Sequence, residues 1–283
     1  MITLNPADMS RLIKELREKT GAGITACKKA LEAGNWKLDE ALTSLRKQGQ
    51  ADMAKRSARA TKEGAIAYQT DGRNGALIEL NCETDFVART DEFKALAQSL
   101  AEKACAGEIP EPAAAAALVE AVQTKMRENM TLRRLARFTL QGHGLVAGYI
   151  HLGAKNGSLI ELATSDPAVA AHPATAELAK ELLLQIVGCN AKFLRREDVP
   201  ADEISKEKEI YAETLRKEGK PEAAIPKIVE GKVNKLFYQA SCLLEQLSVR
   251  DGKTPIAAII KEASAKAGGD IRPARFARYT LGE

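Results

Sequence analysis

Apolar side chains recur every three or four positions through the first stretch of the chain: Leu12, Ile13 and Leu16, then Leu38, Ala41, Leu42 and Leu45. That spacing gathers them on one helical face. Thr20-Gly21-Ala22-Gly23 supplies the backbone freedom at which a first helix stops, and a second runs through Cys27-Lys28-Lys29-Ala30-Leu31. Three short helices are thus predicted to about residue 48, a bundle too small to bury much. From 49 to 63 large apolar side chains nearly vanish, which reads as a polar, basic tether. At Ala76-Leu77-Ile78-Glu79-Leu80-Asn81-Cys82 the pattern becomes a mostly apolar run, a buried strand, preceded by the hairpin signal Asn74-Gly75.

The strand pattern occurs twice. Arg73-Asn74-Gly75-Ala76-Leu77-Ile78-Glu79-Leu80 returns without a gap as Lys155-Asn156-Gly157-Ser158-Leu159-Ile160-Glu161-Leu162, 82 residues later (73 to 155). The register persists into the following helices, where Leu96-Ala97 matches Leu178-Ala179 and Leu100 matches Leu182. Arg137-Phe138-Thr139-Leu140 is echoed by Arg278-Tyr279-Thr280-Leu281. Each half reads as hairpin, helices and closing strand, so the predicted fold class is α+β, with an α/β sandwich built twice. The second half carries an insertion at about 202–236. There a charged helix, the turn Glu218-Gly219-Lys220-Pro221 and a helix starting near Ile225-Pro226 form an antiparallel hairpin. The predicted divisions are a module over 1–53, a basic linker over 54–63, and core halves over 64–143 and 144–283.

Composition narrows the functional classes. Apolar residues make up 45% of the 283 positions and aromatics 4%, so aliphatic and alanine packing dominates. No apolar run approaches the ~20 residues that span a bilayer, and no signal-peptide pattern opens the chain. A soluble, cytoplasmic protein without membrane contact is expected. Residues 1–62 hold 13 Lys and Arg against 7 Asp and Glu, although the whole chain carries only +4. A basic first module suits RNA or an acidic protein face. Five scattered cysteines without a Cys-x-x-Cys pair read as reduced and mostly buried, which predicts neither disulfide nor metal site. His143 and His172 lack acid or cysteine partners at motif spacing and read as surface residues. No catalytic constellation and no phosphate-binding glycine loop stands out, so neither an enzyme nor a cofactor is predicted.

Thr84-Asp85-Phe86-Val87, just past the first buried strand, is the most informative stretch. A strand running into it carries an acid and an aromatic to the end of a sheet. There Phe86 would enter a partner's pocket while Asp85 competes for a cation or donor. Alternatively, Phe86 caps the local core and Asp85 caps a helix starting near Asp91. Residue types alone favour this second reading.

Leu16-Arg17-Glu18-Lys19-Thr20-Gly21-Ala22-Gly23 with Cys27-Lys28-Lys29-Ala30-Leu31 closely resembles the first signature of the translation elongation factor Ts family. Cys82-x-Thr84-Asp85-Phe86-Val87 is similar to the second. Tyr149-Ile150-His151, leading into Gly157-x-Leu159, resembles the matching element of the second half, and the likeness covers essentially the whole chain. The resemblance implies a guanine nucleotide exchange factor for the GTPase elongation factor Tu, with a ubiquitin-associated-like first module. It implies a nucleotide-release tip at Thr84, Asp85, Phe86 and Val87, inserted beside the magnesium and phosphate site, which reverses the preference for the core reading. Supporting contacts then fall at Arg17, Ile24, Thr25, Met126 and His151, although a histidine at a strand end is by itself an ordinary structural residue. Ile24-Thr25-Ala26 stands where many relatives are methionine-rich and acidic. Trp36 fills a turn usually made of small polar residues, either as a staple over the bundle or as an added contact. No stable nucleic-acid partner is implied, and a homodimer of the complex is allowed. The rival from another class, a basic RNA-binding or ribosome-associated scaffold, lacks interleaved aromatics: Trp36 is the one aromatic before residue 63.

Overall fold

The computed structural model describes residues 5–20, 22–56 and 59–283. Helices α1 (Pro6–Thr20), α2 (Ile24–Ala33) and α3 (Leu38–Arg56) pack around Leu16, Cys27, Ala30, Leu31 and Ala41. Trp36 sits half-buried against this bundle, in a turn where Asn35 and Trp36 both adopt positive φ, so it staples the helices. The third helix does not stop near 48 but runs to Arg56. Alanine, lysine, methionine and arginine there are good helix formers, and nothing in the stretch breaks the backbone pattern strongly enough to end it. Residues 57 and 58 of the predicted linker lie outside the described residues.

Beyond it come β1 (Glu63–Thr70), β2 (Asn74–Cys82), α4 (Asp85–Ala88), α5 (Asp91–Ala106), α6 (Ala116–Met126) and β3 (Met130–Thr139). The second half repeats the scheme with β4 (Gly144–Ile150), β5 (Asn156–Thr164), α7 (Pro167–Ala171) and α8 (Pro173–Gly188). After an insertion it closes with α12 (Ile256–Ala267) and β6 (Ile271–Thr280). Each half is a three-stranded antiparallel sheet, in the orders β1-β2-β3 and β4-β5-β6. Both central strands slip register at the same place of the repeat, after Glu79 and after Glu161. The predicted duplicated α+β architecture is therefore present.

The sheets stack back to back, and each outer face carries helices. In β2, Ala76, Ile78, Leu80 and Cys82 face α5, where they meet Phe93, Leu96, Ala97 and Leu100. The alternate residue Leu77 faces the other sheet, in a cluster with Ile66, Phe138, Leu140, Val146 and Leu159. The second half pairs Ile160 and Leu162 with Leu178, Leu182 and Ile186 of α8 in the same way. Burial on both faces explains why these strands read as apolar runs rather than alternating ones. Thr90 and Gly107 bound α5, the first accepting from Phe93 N–H and the second taking a left-handed φ. His172, expected to be a plain surface residue, instead caps α8, its ring nitrogen accepting from Ala174 N–H at 3.2 Å.

Asn74-Gly75 does not form the hairpin turn. The chain reverses at Asp71-Gly72-Arg73, where Asp71 Oδ1 accepts from Arg73 N–H (2.8 Å) and Asn74 N–H (2.6 Å) and Gly72 takes a φ of 89°. Gly75 already pairs with Thr70 inside the strands. Its small size serves the sheet stacking: a Cβ there would lie 2.5 Å from Val146 Cγ1 and 2.9 Å from Leu159 Cδ1. Gly157, its repeat counterpart, would meet Ile150 Cδ1 at 2.6 Å and Ile66 Cγ2 at 2.8 Å.

The insertion holds α9 (Ala201–Lys217) and α10 (Ile225–Lys232), with Pro226 in the first turn of the second arm. A single wider turn over Val233–Phe237 leads into α11 (Tyr238–Ser241). This hairpin has a core of its own, built on Leu215, Ile225, Val229, Val233 and Phe237. Arg196 fastens its base, donating to Asn234 Oδ1 (3.0 Å) and Glu245 Oε2 (2.5 Å) while lying over the Tyr238 ring.

The glycine packing yields a direct test. Gly75→Ala should destabilise the chain by about 1–3 kcal/mol, the usual cost of overfilling a packed core, measured by urea unfolding. An unchanged midpoint would mean that the sheets are not in close contact at this point.

Candidate functional site

One end of the stacked sheets projects. Strand β2 ends at Cys82, which pairs with Glu63 at the start of β1 and with Met130 at the start of β3. Glu83 and Thr84 then lead into α4, a single helical turn that sequence periodicity could not reveal. Thr84 is its N-cap, the side-chain oxygen accepting from Val87 N–H at 3.3 Å. Asp85 is not the cap of the next helix, since Thr90 holds that place. It forms an ion pair with Arg89 one turn on, at 2.9 Å. Val87 and Ala88 turn inward against the first core. Phe86 turns outward and is 80% exposed, so the core reading of this ring is wrong. The reason is geometric: in a one-turn helix anchored through Val87 and Ala88, the side chain of Phe86 falls on the opposite face.

The base of α4 is tied down by residues that no local pattern announces. Glu128 accepts from Thr84 N–H (3.1 Å) and from Thr84 Oγ1 (2.6 Å). In return, Glu83 accepts from Asn129 N–H at 2.6 Å and pairs with Arg59 at 3.3 Å. Asn129 Nδ2 also donates to Arg59 O at 2.8 Å, which joins the end of the linker to the same platform. Beneath it, the Cys82 thiol donates to Thr84 O. Burial, helped by the charge of Glu128, pushes that thiol up to about 12, so it is inert as a nucleophile.

The second half contributes the hairpin turn between β4 and β5. Ile66 N–H of β1 donates to Ala154 O at 2.7 Å, and Ala154 packs on the first core, as Val87 does. Lys155 pairs with Glu63 at 3.2 Å. His151 is exposed in this turn, its Nδ1 2.9 Å from Tyr149 Oη. Beside it Leu152 is 91% exposed. Sequence reasoning passed over Leu152, although an aliphatic residue in a glycine-containing hairpin turn is a signal in itself.

The remaining predicted residues divide. Met126 is half-buried on the first core, the core that anchors α4, and so stands with Val87 as support rather than as exposed surface. Ile24 and Thr25 open α2; Ile24 is 59% exposed. A Cβ on the preceding Gly23 would lie 3.5 Å from the guanidinium of Arg127, the residue that ends α6, so α2 starts close to the platform. Arg17 is exposed in the last turn of α1 and takes its position from the bundle. The structure thus gathers Thr84, Asp85, Phe86, Val87, Met126 and the His151 turn around one end of the first core, while Arg17 belongs to the bundle.

Such an arrangement suits binding to a macromolecule. Phe86 and Leu152 stand out from the surface instead of lining a pocket, which leaves both side chains free to enter a concave partner. Cavities of about 260 Å³ between α8 and α12 and about 510 Å³ beside α6 and β3 are not lined by α4. Among the described residues no group of three or more His, Cys, Asp or Glu is placed to hold a metal ion, and no helix is long and apolar enough to cross a membrane.

Comparison with known proteins points one way. A family model described as elongation factor TS matches residues 83–283. The chain is 40% identical over 287 residues to an elongation factor Ts of Clostridium botulinum (strain Eklund 17B), covering 97% of this chain and 93% of that protein. It is 42% identical to one of Symbiobacterium thermophilum over 283 residues, 97% and 92% of the two chains. With one of Nitratidesulfovibrio vulgaris it shares 39% over 274 residues, 96% and 95% of the two.

Because Phe86 and Leu152 are exposed, neither should contribute to the core. Phe86→Ser and Leu152→Ser are each expected to change unfolding free energy by about 0.5 kcal/mol or less. A loss of 3 kcal/mol or more, the cost of truncating a buried ring, would put Phe86 back in the core.

Proposed function

The chain belongs to the elongation factor Ts family, and on that footing we propose that it is a guanine nucleotide exchange factor for elongation factor Tu, with Phe86 and Asp85 as its nucleotide-release tip. The observation that carries this is the contrast at α4: Phe86 stands 80% exposed on a helix whose base is held by hydrogen bonds and by the core. A ring already ordered when it meets its partner loses little entropy on insertion.

An exchange factor works by binding the nucleotide-free partner more tightly than the GDP-bound one, and the weakening is mutual. A firm wedge supplies this difference. Phe86 occupies a pocket of the GTPase, and Asp85 arrives where magnesium bridges phosphate oxygens in a demanding octahedral geometry. A small displacement there loosens the diphosphate. Before contact Asp85 is paired with the exposed Arg89, a pair weak enough to be exchanged for a new partner.

His151 and Leu152 extend the contact from the second half, and Ile24, Thr25 and Arg17 extend it from the first module. Residues 1–53 act as a docking module on the linker 54–63, and the two halves 64–143 and 144–283 act as the tip's frame. Val87 and Met126 serve as supports. The protein works in the cytoplasm and has no catalytic group of its own.

Two variants test the reading. Phe86→Ala should weaken binding to nucleotide-free elongation factor Tu by about 2 kcal/mol or more, roughly thirty-fold. Asp85→Ala should slow release of fluorescent GDP more than it weakens docking. Both should melt like the parent. Normal GDP release with Phe86→Ala would refute the wedge.

A further inference from the structure

Helix α4 has four residues, none of them fully buried. A helix so short gains nothing from cooperative propagation, so its direction is set by its attachments. Its N-cap, Thr84, has one hydroxyl proton and two lone pairs. The proton goes to Glu128 Oε1 at 2.6 Å, a short bond to a charged acceptor. That fixes the hydroxyl rotor and leaves a lone pair for Val87 N–H. The other carboxylate oxygen takes the backbone N–H of the same residue at 3.1 Å. One carboxylate therefore holds both the main chain and the side chain of the cap.

Glu128 is itself firmly placed. Arg127 closes α6 in a left-handed conformation with its N–H on Gln123 O at 2.8 Å. On its other side Asn129 is bound to Glu83 and to Arg59 O. The main chain on both sides of Glu128 is therefore held.

We propose that Glu128 is a positioning residue for exchange: by gripping Thr84 at two points it aims α4, and with it Phe86, into the partner. The proposal rests on the reading of Phe86 as the release tip. Glu128 acts through Thr84 and need not touch the GTPase.

The test uses the full chain carrying Glu128→Gln, Thr84→Val or Thr84→Ser, with Phe86→Ala as control. A glutamine removes the charge and leaves one acceptor oxygen, so the Thr84 hydroxyl must turn and accept from its N–H, losing the charge-assisted bond; valine removes the hydroxyl at equal volume, and serine keeps it. Glu128→Gln and Thr84→Val should lower the maximal rate of fluorescent-GDP release from elongation factor Tu about tenfold, the scale of a lost helix cap. The concentration for half-maximal effect should move less than about threefold, melting should match the parent, and Thr84→Ser should restore the rate. Hydrogen exchange of the amides at 84–89 should be faster in the two impaired variants alone. A parental release rate with unchanged amide exchange overturns the proposal. So does a slowed rate with unchanged amide exchange, which would make Glu128 an electrostatic group instead. If Glu128→Gln does not fold, the Thr84→Val and Thr84→Ser pair gives the same comparison. If Phe86→Ala releases GDP normally, the tip reading fails, while amide exchange still decides whether Glu128 positions α4.

Discussion

The two sheets are tied together through two buried carboxylates, each neutralised by an arginine of its own sheet that also reaches across to the other. Glu79 of β2 is fully buried and takes Arg134 Nε at 2.6 Å, and that arginine reaches across to donate to Thr280 O of the other sheet. Glu161 of β5 takes Arg275 Nε at 2.7 Å, and that arginine donates back to Thr139 O. Arg134 lies over the Tyr279 ring and Arg275 over the Phe138 ring, so the two arginines exchange reciprocally. Burial alone would raise Glu79, but Gly282 N–H, Arg134, Asn81 and Arg133 together hold it below the usual carboxylate range. Removing Arg275 leaves the buried Glu161 without its paired cation, a loss of about 3–5 kcal/mol. Each acid is neutralised within its own half, and the arginine that does so also binds the closing strand of the other half.

The same reciprocity places the end that carries α4. Ile66 N–H of β1 bonds to Ala154 O in the turn of the second half, and Val146 N–H of β4 bonds to Gly72 O in the turn of the first. Each hairpin turn thus covers the other sheet's edge strand, which is a standard remedy for unpaired strand edges. Two equivalent ends result, and they have diverged. At one, α4 carries Phe86 beside a turn with His151 and Leu152. At the other, α7 carries Ala168 at the corresponding position, beside Asp71-Gly72-Arg73. The scaffold is symmetric, and the side chains that reach outward are not.

The repeat was legible because β2 and β5 are buried on both faces, which leaves an unbroken apolar signature in each copy. Glu79 and Glu161 were visible as acids within those runs, but their arginines lie 55 and 114 residues away, beyond any local pattern. Asn74-Gly75 misled because glycine serves turns and close packing alike, and here Gly75 makes room for Val146 and Leu159. Phe86 was placed in the core on hydrophobicity alone, which carries no information about which face of a one-turn helix is anchored. Resemblance to a family reversed that choice, but the Glu128 clamp, 44 residues from Thr84, was out of reach of either argument.

The central claim is that one of two equivalent ends, and not its twin, enters the GTPase beside the nucleotide. A photoreactive phenylalanine analogue placed at position 86 in one preparation and at position 168 in another tests it directly. The account predicts crosslinking to nucleotide-free elongation factor Tu from position 86, at peptides next to the phosphate and magnesium site, suppressed by excess GDP, and little from position 168. Equal crosslinking from both positions, or crosslinks from position 86 that persist in saturating GDP, would contradict it.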